Sequence, residues 1–245
     1  ASDLAAALRP QVLVELGVSC GDSYFGFCQA VSEANVACTC YGVDPFEDAA
    51  IYDAVSRHNE RFYRSFSHLL RAGFEKALDQ FSGESVDLLH INAFRTYEDG
   101  RRAFDKWLSK VRPGGVVLLH GIAVRSAEHG IWRLWEELLR GFPAFGFRSG
   151  NGLGVLRKPG GAGNDSAYLK ELFSSSAENQ ERIRRYYALC AGRIELEHAA
   201  GSMASRSDGA IQVLEQRLAD AQQASSKERT RMQAAQAALT QQLAI

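Results

Sequence analysis

Gln11-Val12-Leu13-Val14-Glu15-Leu16-Gly17-Val18-Ser19-Cys20-Gly21-Asp22-Ser23 decides the fold. Gln11–Leu16 reads as a short apolar strand, and the glycines that follow break it. Ser23–Glu33 then carries Tyr24, Phe25, Phe27, Cys28 and Val31 as one helical stripe. A buried strand, a tight glycine turn and an amphipathic helix make the first half of a strand–helix–strand unit. Glycine at 17 and 21 permits the turn and the close approach of a ligand to backbone. Asp22 or Ser23 is placed to cap the helix.

The same alternation continues outward. Strands are expected at Ala37–Val43, Ser67–Arg71, Val86–Ile91 and Val116–His120. Helices are expected at Ile51–Tyr63, Phe74–Phe81, Tyr97–Leu108 and Ile131–Arg140. Arg112-Pro113-Gly114-Gly115 reads as a turn before the fifth strand, and Phe145–Ser149 with Gly152–Leu156 as a hairpin around Gly150-Asn151. The fold class is therefore α/β: a Rossmann-like, largely parallel sheet covered on both faces and closed by an antiparallel edge. Ligands of such sheets bind at the carboxyl ends of the strands, where the strand order reverses. That directs attention to Leu16–Ser23, Asp44, Asn92–Tyr97 and His120–Arg125.

Composition narrows the partners. The 245 residues include 28 Lys+Arg and 29 Asp+Glu, for a net charge of −1. Bulk attraction to nucleic acid or an anionic membrane is thereby disfavoured. No apolar run is long enough to span a bilayer, and no signal peptide is visible. The five cysteines Cys20, Cys28, Cys38, Cys40 and Cys190 form no paired CxxC motifs, so no zinc site is expected. They read as reduced thiols of a cytoplasmic protein.

Asp44 ends the second strand, 27 residues after Gly17, and an acid at that tip can accept both hydroxyls of a ribose. The G-x-x-x-G spacing is not the dinucleotide fingerprint. Glu15 and Asp22 make the loop a poor phosphate cradle; it suits a ligand with a cationic or zwitterionic tail.

In this order, Glu15-Leu16-Gly17-x-x-x-Gly21, Gly42-Val43-Asp44, Asp87-Leu88-Leu89-His90-Ile91 and Arg112-Pro113-Gly114-Gly115-Val116-Val117-Leu118-Leu119-His120 resemble a class I S-adenosylmethionine-dependent methyltransferase. The group most resembled accompanies glycosyltransferases in bacterial polysaccharide clusters. Gly130-Ile131-Trp132-Arg133-Leu134-Trp135 and Gly152-Leu153-Gly154-Val155-Leu156 fit that group too, and the likeness covers roughly residues 5–158. It implies seven strands with the last antiparallel, and S-adenosylmethionine as cofactor. It places Gly17 and Gly21 at the methionine part, Asp44 at the ribose, and Phe74 and Glu75 near the adenine, with Glu15 and Asn92 as further cofactor-binding candidates.

The sequence departs from related domains where those continue as His-Ile-Asp-Gly-x-His and His-Asp. Here Asn92, Arg95 and Gly121 take the acidic, histidine and acidic positions. Hard cations want carboxylates, so no metal is expected. Methyl transfer needs chiefly proximity and orientation, plus an acceptor for the hydroxyl proton. His120 is the first candidate base, with Tyr97 and then Glu98 behind it. His90, inside an apolar strand, reads as a core histidine, and Trp132 and Trp135 as core residues of their helix. Arg95 and Arg125, with Arg101 and Arg102, are candidates for an anionic substrate pocket; the plain alternative is a solvated face. The expected activity is metal-free O-methylation of a sugar or glycan hydroxyl. The alternative is an inert methyltransferase-fold scaffold, motivated by the same departures.

Residues 159–166 read as a linker between a 1–158 domain and a 167–245 helical extension. Ala177–His198 is expected to be helical. From about 208 a heptad runs through Ile211, Leu214, Leu218, Ala221, Ser225, Glu228, Met232, Ala235, Leu239 and Gln242. It predicts a coiled coil that joins copies of the chain into a homo-oligomer, or docks other enzyme domains. The chain opens at Ala1 without methionine and stops inside the helical pattern, so a longer natural protein is expected.

Overall fold

A computed structural model describes residues 1–161 and 166–194, together with residues 196, 216, 219, 220 and 223. The chain divides into two compact units, Ala1–Ala188 and Leu189–Ile245. The first holds seven strands: β1 (Val12–Leu16), β2 (Thr39–Asp44), β3 (Ser67–Arg71), β4 (Val86–Ile91), β5 (Val111–His120), β6 (Ala144–Phe147) and β7 (Leu153–Arg157). They form one sheet in the order β3-β2-β1-β4-β5-β7-β6. β1 to β5 pair in parallel. β7 inserts antiparallel between β5 and β6, making the reversed edge that the sequence predicts. The order reverses between β1 and β4, and their carboxyl ends diverge there into a crevice.

Side-chain alternation divides the core. Leu13, Leu88, Leu118 and Val155 face α1 (Ser2–Leu8), α2 (Asp22–Glu33), α3 (Ala49–Phe62) and α7 (Ala167–Ser174). Val14, Leu89, Leu119 and Leu156 face α4 (Phe74–Ala77), α5 (Tyr97–Leu108) and α6 (Ile131–Leu138). Every residue of β4 is buried, as suits a central parallel strand. β4 carries Asp87 and His90 into this apolar setting, so both require partners.

Asp87 finds its partners at the amino edge of the sheet. Its carboxylate accepts the backbone N–H groups of Gln11 and Val12 and pairs with Arg112 Nε at 2.5 Å. This clamp corrects the reading of residues 112–115 as a turn. The register jumps from Val86↔Val111 to Leu88↔Val116, and Gly114 at φ 78 absorbs the irregularity inside a longer β5. The hairpin is packed equally closely. A Cβ on Gly154 would lie 2.5 Å from the Trp135 ring, so only glycine lets α6 approach β7.

The first unit runs past the glycine-rich 159–166 stretch. Leu169 and Leu172 of α7 are buried in its core, and Tyr187 hydrogen-bonds Tyr168 at 3.0 Å and also Asp3. Residues 177–194 are helical. The heptad positions Ile211 to Gln242 lie outside the described residues. Among the described residues no helix is long and apolar enough to cross a membrane. Cys28, Cys38 and Cys40 are buried and free, the last two with their sulfurs 3.8 Å apart.

Candidate active site

A cavity of about 620 Å³ opens at the carboxyl ends of β1, β2, β4 and β5. Its framework is the turn after β1. Gly17 takes φ +89, and a Cβ there would fall 2.7 Å from the Ala93 Cα. The glycine is thus needed for the β1 and β4 loops to touch, beyond any approach of ligand. Gly21, at φ +93, caps α2, and a Cβ there would strike the Phe25 ring at 2.5 Å. It shapes the turn without lining the cavity.

Asp44 stands at the tip of β2 and faces the cavity. One carboxylate oxygen accepts Ser19 N–H at 3.0 Å, the other Phe46 N–H at 2.7 Å. These bonds hold Ser19 and Phe46 at positive φ and fix the carboxylate's direction. Lone pairs remain for a ligand hydroxyl, since a carboxylate has about four acceptor sites. Glu47 and Asp48 follow on the same rim, and Asp48 caps α3 by accepting from Ala50 and Ile51. These acids were not singled out in the sequence, although their place directly after a strand tip is the signal that finds them.

Beneath the cavity lies a polar network. Glu15 is fully buried. Its carboxylate accepts the Ser23 hydroxyl at 2.5 Å and meets His90 Nδ1 at 2.9 Å. Asn92 lines the cavity and donates to Gly17 O at 3.3 Å and Ser23 Oγ at 3.2 Å. Glu15 therefore does not reach the cavity surface; it supports the turn from below. His90 is the expected core histidine, bonded on one side only. Its Nε2 is buried without a hydrogen-bond partner in the protein, and its ring meets that of His120 edge-on at 6.5 Å.

His120 lies on the cavity wall. Desolvation pushes its pKa below the ordinary 6.5, nearby His90 pushes in the same direction, and Glu15 opposes them. The ring is thereby kept neutral and able to accept a proton near neutral pH.

The remaining candidates separate. Phe74 lines the cavity and packs edge-on against Phe94 at 5.0 Å. Glu75 does not line it; it borders an adjacent recess of about 410 Å³ and pairs with Lys106 at 2.8 Å. Tyr97 is turned away, donating to Glu137 Oε2 at 2.6 Å. That bond raises its pKa and removes it as a base. Glu98 is not among the lining residues either.

Arg95 faces the cavity, whereas Arg125 does not. Arg125 bonds Ile122 O and Glu136 and lies over Trp132. Trp132, also covered by Arg133, is half-buried rather than a core residue, while Trp135 is buried as expected. His129 and Asn151 complete the wall from the 121–130 loop and the hairpin tip, segments with no periodicity to mark them. Among the described residues, no three His, Cys, Asp or Glu side chains converge as for a metal ion.

Comparison with known proteins agrees with this geometry. Residues 14–122 match the family model described as a methyltransferase domain. The uncharacterized protein y4gI of Sinorhizobium fredii is 42% identical over 161 residues, covering 62% of this chain. The chain spans about a fifth of that relative, 18% of its length. An O-methyltransferase from Bacillus cereus, solved in complex with SAH, superposes with a TM-score of 0.53 at 16% identity, over 64% of this chain and 78% of its own. The O-methyltransferase TomG from Streptomyces achromogenes, in complex with SAM, gives 0.51 at 17% identity, over 65% and 78%. A methyltransferase from Geobacter sulfurreducens gives 0.52 at 15% identity, over 65% and 76%. At these identities the solved structures speak for the fold alone. Together, residues 14–122 match a methyltransferase-domain family model, and the unit that holds them has the fold of these solved methyltransferases.

Proposed function

We propose that the cavity binds S-adenosylmethionine and that the domain transfers its methyl group to a hydroxyl of a sugar or glycan, without a metal. The observation carrying this reading is the position of Asp44 across the cavity from Asn92 and His120, at the switch point of a methyltransferase sheet. TomG, on the same fold, was solved with SAM. The residues fit such a ligand. Asp44 offers acceptors for a ribose diol, Phe74 and Phe94 offer apolar ring surface, and the Gly17 turn brings backbone to the cavity wall. Bound there, the cofactor supplies an electrophilic methyl group on a sulfonium.

The chain's own residues then have limited work. The β1 and β4 loops line the cavity and would position cofactor and acceptor beside each other, and proximity and orientation are the main source of rate in a displacement of this kind. His120, whose pKa lies below the ordinary 6.5, accepts the hydroxyl proton at a ring nitrogen. Glu15 and Asn92 fix the turn and orient the wall. In the same proposal the heptad beyond residue 208 joins this domain to a second copy or to another enzyme. Tethering of this kind raises effective concentration.

The test is turnover. The chain is incubated with methyl-labelled S-adenosylmethionine and a panel of sugars and oligosaccharides, and label transfer is measured for wild type and His120→Gln. Transfer to a sugar oxygen that falls about 100-fold in His120→Gln is the expected result. Cofactor binding without transfer to any acceptor hydroxyl would instead favour the inert-scaffold reading.

A further inference from the structure

We infer that the acceptor carries an anionic oxygen group, a carboxylate or a phosphate, and that Arg95 and His129 form the subsite holding it. This rests on the transferase reading above and names its substrate class.

The cavity is electrostatically divided. Every acid that lines it, Asp44, Glu47 and Asp48, comes from β2 or the residues just after it. The opposite wall, from the ends of β4 and β5 and the loop before α6, carries Arg95, His120 and His129 and no acid. The acidic wall suits the ribose and the cationic character of the proposed cofactor. The basic wall is where an acceptor would lie.

Arg95 differs from the arginines near it in sequence. Arg101 pairs with Asp105 and Glu137. Arg102 pairs with Asp99 and, more loosely, Glu75. Arg125 is held by Glu136. The structure gives the Arg95 guanidinium no ion pair or hydrogen bond among the described residues, and Arg95 is an exposed residue of the cavity lining. A guanidinium stays charged and offers a fork that matches carboxylate or phosphate. A neutral sugar offers that exposed charge no ionic partner, whereas a carboxylate or phosphate does.

His129 is held beside it. Arg95 O accepts Gly130 N–H at 2.7 Å, tying the loop after β4 to the loop before α6. The tie depends on glycine, because a Cβ at 130 would lie 2.4 Å from Tyr97 N. Ser126 Oγ sits 2.8 Å from His129 Nδ1. With the hydroxyl donating to Nδ1, Nε2–H becomes the ring's donor. The subsite then offers one fixed cation and one N–H donor, while His120 remains free to accept a proton.

The test uses the whole chain, with and without S-adenosylhomocysteine, titrated with glucuronate, glucose 6-phosphate and glucose and followed by ligand-observed NMR. At least one anionic sugar is expected to bind about tenfold more tightly than glucose, the scale of a charge-assisted pair. Whichever does so identifies carboxylate or phosphate as the group recognised. Arg95→Gln should abolish the preference and His129→Gln should weaken it. Both variants should keep the S-adenosylhomocysteine affinity within about twofold. Equal binding of all three sugars, or a preference that survives Arg95→Gln, overturns the inference. A loss of S-adenosylhomocysteine affinity in Arg95→Gln also overturns it, by assigning the guanidinium to the cofactor's own carboxylate. An Arg95-dependent preference in a chain that fails to bind S-adenosylhomocysteine would uphold the anion subsite and defeat the transferase reading.

Discussion

Replacing Glu15 with alanine tests whether the buried acid supports the site from below. Its two carboxylate oxygens hold Ser23 Oγ at 2.5 Å and His90 Nδ1 at 2.9 Å, and the residue has no exposed surface. Glu15→Ala strands both donors, and His90 then keeps neither ring nitrogen bonded within the protein. Each donor left unsatisfied inside a protein costs about 1–3 kcal/mol, so the pair puts the loss at about 2–6 kcal/mol, centred near 4. Against a total stability of about 5–15 kcal/mol this is severe. At about 2–4 °C per kcal/mol for a unit of this size, Tm falls by about 8–16 °C. Glu15→Gln keeps one acceptor oxygen and should lose about half as much. The assay is thermal and urea unfolding followed by circular dichroism, with both variants beside wild type. A Glu15→Ala protein within about 1 kcal/mol of wild type would refute the reasoning, because no buried donor could then depend on that carboxylate.

Further outcomes are expected. Gly17→Ala forces a side chain into φ +89 and a Cβ to 2.7 Å from the Ala93 backbone; it should cost at least about 2 kcal/mol in urea unfolding and weaken S-adenosylmethionine binding. Gly154→Ala drives a methyl into the Trp135 ring at 2.5 Å, and should cost about 1–3 kcal/mol with a change in tryptophan fluorescence. The His120 pKa lies below 6.5, so the proton-accepting neutral form persists down to that value and is lost as pH falls through the lowered pKa. The transfer rate should therefore be flat near pH 7 and fall only on the acid side, and His120→Gln should erase that limb.

Much of the fold is legible in the sequence because central parallel strands are buried on both faces. Val86–Ile91 and Val116–His120 therefore read as largely apolar runs, the first interrupted only by Asp87 and His90. The start of β5 is not legible. Pro113-Gly114-Gly115 has turn chemistry, and only Asp87, distant in sequence, holds that segment in the sheet through Arg112. α7 follows a glycine-rich stretch that imitates a boundary, yet Leu169 and Leu172 complete the core.

The site divides in the same way. Gly17, Asp44, Asn92, Arg95 and His120 sit at or just beyond strand tips, and topology alone brings strand tips together. Phe74, just after β3, joins them. Tyr97, Glu75 and Arg125 lie on or beside helices, where which way a side chain turns depends on a tertiary partner: Glu137, Lys106 and Glu136 respectively. Glu15 misleads for a different reason. An acid before a glycine turn looks like a ligand contact until His90, on the neighbouring strand, is known to claim it. His129 comes from an aperiodic loop, and only the folded arrangement shows it facing Arg95's side of the cavity.

The most direct measurement is calorimetric titration of the chain with S-adenosylmethionine and S-adenosylhomocysteine, with Asp44→Ala and Asp44→Asn alongside. Asp44→Asn removes the charge while keeping one acceptor oxygen for the Ser19 or Phe46 N–H, which Asp44 holds through separate oxygens. The account predicts one site per chain for both ligands. It also predicts about 10- to 100-fold weaker binding in Asp44→Ala, the scale of losing hydrogen bonds to a charged acceptor. No binding to the folded wild-type chain, or equal affinity in wild type and Asp44→Ala, would contradict it.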